Sequence, residues 1–380
     1  MSRQLFASLL GLLLTFSISA QDKLPFKVEE ISSFDEPWSM AFLPDGRMLV
    51  TEKKGTLTIV TQQGEKSRPV GGLPDVDYGG QGGLGDVALH PDFANNKLVY
   101  ISYAEAGVGG VRGAAVARDT LVEEGRRSSL QNLQVIWRQY PKVLGYGHYG
   151  HRLLFDNNKH LWISSGDRQK FTPAQDMQSS IGKILRLHDD GSVPDDNPFV
   201  NYRETDSFVD GEAIYQQIWS LGHRNPLGIA FDLNDQLWVI EMGPAGGDEL
   251  NLVKRAANYG YPLVSNGKHY DGRPIPDHDT RPEFAAPAIT WTPVISPADL
   301  IVYRGKLFAD WRGDALAAGL SSQGIVRIKL DGEKATEVAR YGMGARIRKV
   351  TEAPDGALWV LEDERGQSQG RLLKLTPKPR

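Results

Sequence analysis

The chain of 380 residues contains no cysteine. No disulfide braces it, so its hydrophobic core must suffice even in an oxidising compartment. A lipoprotein attachment is excluded too, since no cysteine follows the apolar run near the N-terminus. Positive charge is not in excess. Lys and Arg number 43 against 47 Asp and Glu, giving a formal net charge of -4, and there is no basic run. That balance argues against nucleic acid as a partner. Long hydrophobic stretches are missing after residue 20, so no membrane-spanning helix is expected there.

Residues 1–20 differ from everything after them. Arg3 gives a positive start, and Leu5 to Phe16 is apolar but too short to cross a bilayer comfortably. Ser17-Ile-Ser-Ala20 closes the run with small residues. The pattern predicts a secretory signal peptide cleaved near Ala20, and a periplasmic or secreted protein.

What is present is glycine, proline and a repeat, with 41 Gly, 22 Pro and 8 Trp. Trp38-Ser-Met-Ala-Phe-Leu, a Pro-Asp-Gly-Arg turn and Met48-Leu-Val-Thr-Glu read as strand, turn, strand. The pattern returns at Asp86 to Tyr103, Leu153 to Ser164, Leu227 to Glu241 and Arg348 to Glu362. A degenerate copy covers Asp299 to Leu320. Each copy alone cannot bury both its faces, whereas sheets packed radially bury one another. About six copies predict an all-β, six-bladed β-propeller with four-stranded antiparallel blades, filling 21–380 as a single domain. The length would otherwise suggest two or three domains at about 150 residues each. Thr172 to Ile184 is the best candidate for a short helix.

The densest stretch runs from Gly145 to Asp167. It sets His148 between glycines before one strand of a hairpin, and Asp167 after the partner strand. Both can meet at one end, where the acid would fix the imidazole tautomer that a general base needs. Spacing alone leaves open an ordinary loop and a turn-capping aspartate. In a propeller the segments entering the innermost strands gather at one mouth. Gln81, His148, Arg224, Asn225, Arg346 and Arg348 would converge there. Arginines so gathered are costly without an anion, and a ligand with several carboxylates would satisfy them. Separate surface arginines are the alternative.

Several motifs together resemble the soluble quinoprotein sugar dehydrogenases, the glucose/sorbosone dehydrogenase family, and within it the periplasmic aldose sugar dehydrogenases. They are Pro37-Trp-Ser-Met-Ala-Phe-Leu-Pro-Asp-Gly, Gly80-Gln-Gly-Gly-Leu-Gly, His148-Tyr-Gly-His-Arg, Gly182-Lys-Ile-Leu-Arg-Leu, Gly222-His-Arg-Asn-Pro and Gly247-Asp-Glu-Leu-Asn-Leu. The resemblance covers about Trp38 to Leu375. It implies a propeller holding pyrroloquinoline quinone (PQQ) with Ca²⁺. It also implies oxidation of aldoses at C1 to lactones, with electrons passed to an external acceptor. By the same resemblance His148 is the general base and Asp167 orients it. Arg224 and Asn225 lie near the quinone oxygens, Arg346 and Arg348 hold the PQQ carboxylates, and Gln81 borders the cofactor. Gly243 and Pro244 would give backbone carbonyls to Ca²⁺. A second calcium site is implied at Glu249 and Tyr259. A monomer or homodimer is expected.

The chain departs from the family at three places. Gly147 stands where some relatives have an acid. Ser321 stands nearest to a cofactor-binding lysine of the glucose-specific members. His151 stands where relatives usually have a small residue and is expected to face solvent, the alternative being that it alters the substrate mouth. Two rival functions remain. A calcium-dependent lactone hydrolase would need converging carboxylates, and a non-catalytic binding module would have no use for His148, Asp167 and Arg224 together. A zinc enzyme built on His148 and His151 lacks a third ligand in the sequence.

Overall fold

A computed structural model of the protein describes residues 24–202, 208–209 and 212–379. The predicted signal peptide lies outside the described residues. Each predicted strand–turn–strand copy forms the two innermost strands of one blade. The innermost strands are Pro37–Phe42, Leu84–Leu89, Gly150–Phe155, Pro226–Phe231, Pro297–Val302 and Ile347–Glu352. Five blades have four antiparallel strands, and the first has three. The sixth blade takes its outermost strand from the start of the chain. Phe26–Ser33 pairs with Arg371–Pro377 and closes the ring.

Second strands such as Leu161–Ser165 and Leu237–Glu241 are buried along their whole length. One side of Leu237–Glu241 sends Leu237 and Val239 against blade three, and the other sends Trp238 and Ile240 against blade five. This explains why their sequences are unbroken apolar runs rather than alternating ones. Six hydrophobic clusters fill the gaps between neighbouring blades. An aspartate in the turn pins two of these hairpins. Asp156 accepts the N–H of Asn158 and His160 and the indole N–H of Trp162 at 3.0 Å. Asp232 repeats this with Asn234, Gln236 and Trp238.

The innermost strand of every blade has a register shift near its start, between Pro37 and Ser39, for example, or Ile347 and Lys349. A bulge of this kind bends the strand and re-aims its side chains. The Thr172–Ile184 helix does not form. One 3-10 turn, Thr172–Gln175, is followed by the strand Lys183–Leu187. The buried Lys183 ammonium takes the carbonyls of Pro173, Ala174 and Ile181, of which a continuous helix would have used the first two for itself.

The channel along the propeller axis is plugged by charge. Arg152 of blade three is 1% exposed and touches the innermost strand of every other blade. Its guanidinium lies 4.1 Å from the Trp38 ring, meets Asp86 at 3.4 Å and Asp299 at 3.3 Å, and donates to the carbonyls of Leu227, Ala298 and Arg348. Lys349 adds a second cation, 3.3 Å from Asp299.

Candidate active site

His148 and Asp167 sit at the same end of the blade-three hairpin, Nδ1 to Oδ1 at 2.6 Å, and both are buried. An ionised carboxylate accepts the Nδ1 hydrogen, so the lone pair of the neutral ring is at Nε2. Burial lowers the His148 pKa, Asp167 opposes that, and the net result is below the ordinary value. A neutral imidazole is the form that can accept a proton. His148 has a left-handed backbone, φ +48°. Such strain persists only where neighbours enforce it. Gln81 Oε1 accepts the His148 N–H at 2.8 Å, and the His148 carbonyl accepts from Arg168 N at 3.2 Å.

Sequence reasoning missed the main support of this loop. Arg168 is 1% exposed and stacks on the Tyr149 ring at 3.8 Å. It donates to the carbonyls of Gly145, Gly147 and Arg112. These bonds hold the backbone on which His148 stands. Arg168→Met should lower the unfolding free energy by about 3 kcal/mol, since several bonds to a charged donor are lost. It should lower turnover as well, because the base is no longer held. Denaturant melts and rates on the same sample check both effects, and an unchanged rate would confine Arg168 to a stabilising role.

Arg346 and Arg348 come together at a cavity wall, on a protein anion that the sequence reading did not identify, and Arg224 is not among the residues of that wall. Arg346 and Arg348 both meet Asp363 Oδ2, at 3.2 and 2.7 Å. Arg224, 5% exposed, donates to the carbonyls of Met242 and Gly243 and to the Tyr270 hydroxyl. Its backbone N–H goes to Glu241, which also binds His223 at 2.9 Å. In Gly222-His-Arg-Asn-Pro, then, the histidine anchors the turn and the arginine faces the site.

A cavity of about 220 Å³ opens here, its walls including Gln81, Asn225, Arg346, Arg348, Lys53 and His151. Buried polar atoms of its wall lack partners: both amide atoms of Asn225, both ring nitrogens of His151 and the Tyr149 hydroxyl. Buried polar groups left unpaired are costly, so this lining suits a polar, anionic guest. A wider cavity of about 1230 Å³ lies at the other end of the channel. Hairpin turns and Trp162, Trp219 and Phe231 form it, and it lacks the His–Asp pair.

His151 does not face solvent. It is 3% exposed, stacked on Tyr149 at 5.1 Å and edge-on to Trp38 at 5.8 Å. Its left-handed φ of +81°, at the bulge beside Gly150, turns it inward. Burial, with Arg168 nearby, pushes its pKa down to about 3, so the ring is neutral. Neither nitrogen meets a carboxylate. Gly147 has a local reason: a Cβ there would sit 2.4 Å from Gln169 Oε1, so any side chain would displace Gln169. Ser321 is exposed and bonds Val294 O and Ser296 Oγ, outside the cavity wall.

Gly243 and Pro244 form a loop tied down by Asp248, which accepts the N–H of Gly243 at 2.9 Å and of Ser296 at 2.7 Å. Burial pushes Asp248 up to about 6. The Gly243 carbonyl faces Arg224 Nη1 at 2.5 Å. Glu249 lies 3.3 Å from His278 Nε2 and shares Asn251 with Glu241. The Tyr259 ring stacks on His223, and its hydroxyl is spent on Leu252 O. Among the described residues no three His, Cys, Asp or Glu side chains form a group that could hold a metal ion. A hard cation at Gly243 and Pro244 would therefore draw on backbone carbonyls.

The profile of the Glucose / Sorbosone dehydrogenase family matches residues 34–374. An aldose sugar dehydrogenase of Escherichia coli K12 (YliI) is 37% identical over 352 residues, covering 90% of this chain and 91% of the relative. Quinoprotein glucose dehydrogenase B of Acinetobacter calcoaceticus is 26% identical over 423 residues, covering 89% and 85%. Among solved structures, the apo-form aldose sugar dehydrogenase of E. coli superposes with a TM-score of 0.84 at 35% identity, covering 93% of this chain and all of the other. The PQQ-bound aldose sugar dehydrogenase of Streptomyces coelicolor gives 0.74 at 29% identity, covering 93% and 98%.

Proposed function

The chain belongs to the glucose/sorbosone dehydrogenase family, and we propose that it oxidises an aldose at C1 to the lactone, with PQQ and Ca²⁺ as cofactors and an external electron acceptor. One observation carries the reading: a buried His148–Asp167 pair stands beside a cavity lined with cations and unpartnered polar atoms. Bound PQQ with its Ca²⁺ supplies the electrophile that accepts hydride from C1.

The chain's own residues do the rest. His148 Nε2 takes the C1 hydroxyl proton as the C1 hydrogen leaves. Asp167 holds the ring in that tautomer and stabilises the imidazolium that forms. Arg224, through its unpartnered Nε, steadies negative charge that develops in the cavity. Arg346 and Arg348 hold carboxylates of the guest, in part exchange for Asp363. Asn225 and Gln81 fix its edge. Gly243 and Pro244 offer carbonyls to the cation, and Asp248 keeps their loop in place. A second cation site at Glu249 and Tyr259 is a separate proposal. With the Tyr259 hydroxyl already bonded, that residue would contribute its backbone carbonyl. The character of residues 1–20 supports export to the periplasm or beyond.

The test is reconstitution: purified apoprotein with PQQ and Ca²⁺, screened on aldoses with an artificial acceptor. Activity that needs both additions and is lost on chelation supports the reading. Full activity in a preparation free of divalent metal rejects the calcium assignment. The arginines are tested apart from turnover. Arg346→Ala or Arg348→Ala should weaken PQQ binding by about 2–3 kcal/mol, the value of a charged hydrogen bond. Saturating PQQ should restore part of the rate. Unchanged affinity in both variants would mean that these residues do not hold its carboxylates.

A further inference from the structure

Lys53 follows the second strand of blade one, Met48–Glu52, and its side chain is only 9% exposed. A surface lysine ordinarily keeps its ammonium in water. This one is turned into the cavity wall shared with Arg346, Arg348 and Arg365. Its three donors have one short bond and two looser contacts, one of them the Tyr78 ring at 5.5 Å. Nζ reaches the Gly80 carbonyl at 2.9 Å and Glu36 Oε1 only at 3.5 Å. Glu36 is shared, since it also accepts from the Tyr78 hydroxyl. Asp363, the acid beside the other cations, is taken by Arg346 and Arg348. Burial lowers the Lys53 pKa, Glu36 opposes that, and the charges of Arg365 and Arg348 lower it further. The blade-one wall therefore has an underpaired cation facing the cavity.

We propose that Lys53 is a cofactor-binding residue, whose ammonium takes a carboxylate of the anionic guest at the blade-one wall. This rests on the PQQ reading above. An incoming carboxylate would give Nζ a charged partner and relieve its repulsion from the neighbouring arginines.

The experiment is calorimetric titration of PQQ into the apoprotein with Ca²⁺ in excess, which needs no turnover. Lys53→Met should raise the Kd by about tenfold or more, the loss of one charged hydrogen bond. Lys53→Arg should lose less, because it keeps the charge, and it covers the case in which Lys53→Met folds poorly. Lys54→Met removes an exposed neighbour paired with Asp35 and should leave the Kd unchanged. Glu36→Gln separates binding from loop support. It frees Lys53, so affinity should hold or tighten. If Glu36→Gln weakens PQQ as much as Lys53→Met does, the lysine acts through its loop and the proposal is overturned. It is overturned as well if the wild type binds PQQ and Lys53→Met matches its Kd. A wild type that binds no PQQ sinks the cofactor reading, and this inference with it.

Discussion

His148→Gln should reduce turnover by roughly 10²–10⁴, the usual contribution of a positioned general base, while PQQ affinity stays near that of the wild type. The two effects separate because different groups carry them. Cofactor affinity rests on the cations around the cavity, whereas proton transfer rests on a single ring held by Asp167 at 2.6 Å. Asp167→Asn should cost less, since Asp167 orients the ring and exchanges no proton with the sugar. The pH profile adds a sign. Burial keeps His148 neutral below the ordinary histidine range, so kcat/KM should hold into mild acid and then fall as the ring protonates. Asp167 is the group that raises the His148 pKa, so its removal should shift the acid limb to still lower pH. Initial rates at saturating PQQ across pH check both points. Wild-type turnover in a His148→Gln protein that binds PQQ would remove His148 as the base.

Arg152→Met should destabilise the fold by about 3–5 kcal/mol, the cost of removing one partner from a buried ion pair. Arg152 ties all six innermost strands to a single side chain. Its loss leaves Asp86 and Asp299 in the axial channel with Lys349 as their remaining cation. Burial pushes the Asp86 carboxyl up, but Lys349, Arg152 and Ser39 together hold it below its ordinary value. Its contribution is therefore present at neutral pH and is lost as pH falls through that lowered value. Without Arg152 that loss should begin at higher pH. Arg152→Lys should recover part of the stability, because it restores charge but not the fork of donors to three carbonyls. Denaturant midpoints at two pH values read this directly. A midpoint unchanged in Arg152→Met would show that the plug does not brace the ring.

The second strand of each blade was legible in the sequence because it is buried on both faces, and such strands must be written as apolar runs closed by polar turns. Leu161-Trp-Ile and Leu237-Trp-Val-Ile are of this kind. Outer strands lack that constraint. Lys334–Gly342 alternates exposed and half-buried positions along its whole length, and Lys-Ala-Thr-Glu-Val-Ala-Arg carries no apolar run to betray it. The closing strand Phe26–Ser33 pairs with the far end of the chain, and no local pattern announces that partner.

The site was legible to a similar depth. The meeting of His148 with Asp167 follows from hairpin ends, and Arg346 and Arg348 reach one wall because they alternate by two. What was hidden depends on the bulges. At Gly150 the bulge swings His151 inward, against an expectation built on loop position. Arg168 drew no attention in the sequence, yet with a left-handed backbone it bonds the His148 carbonyl. Asp363 and Lys53 come from second strands, whose ends reach the same mouth as the first strands do. Both were visible in principle as charges placed just after an apolar run. Arg152 lay in plain view in the His148 motif, but only the closed ring shows that it faces the axis rather than the guest.

A single turnover without an external acceptor shows whether the bound quinone is reduced by sugar with His148 as the base. Protein loaded with PQQ and Ca²⁺ is mixed anaerobically with an aldose, and the absorbance of the bound quinone is followed by stopped flow. Stoichiometric loss of the oxidised quinone spectrum is expected in the wild type, slowed by deuterium at C1 and far more by His148→Gln. Stoichiometric PQQ binding with no reduction by any aldose, or equal rates in the wild type and His148→Gln, would contradict this expectation.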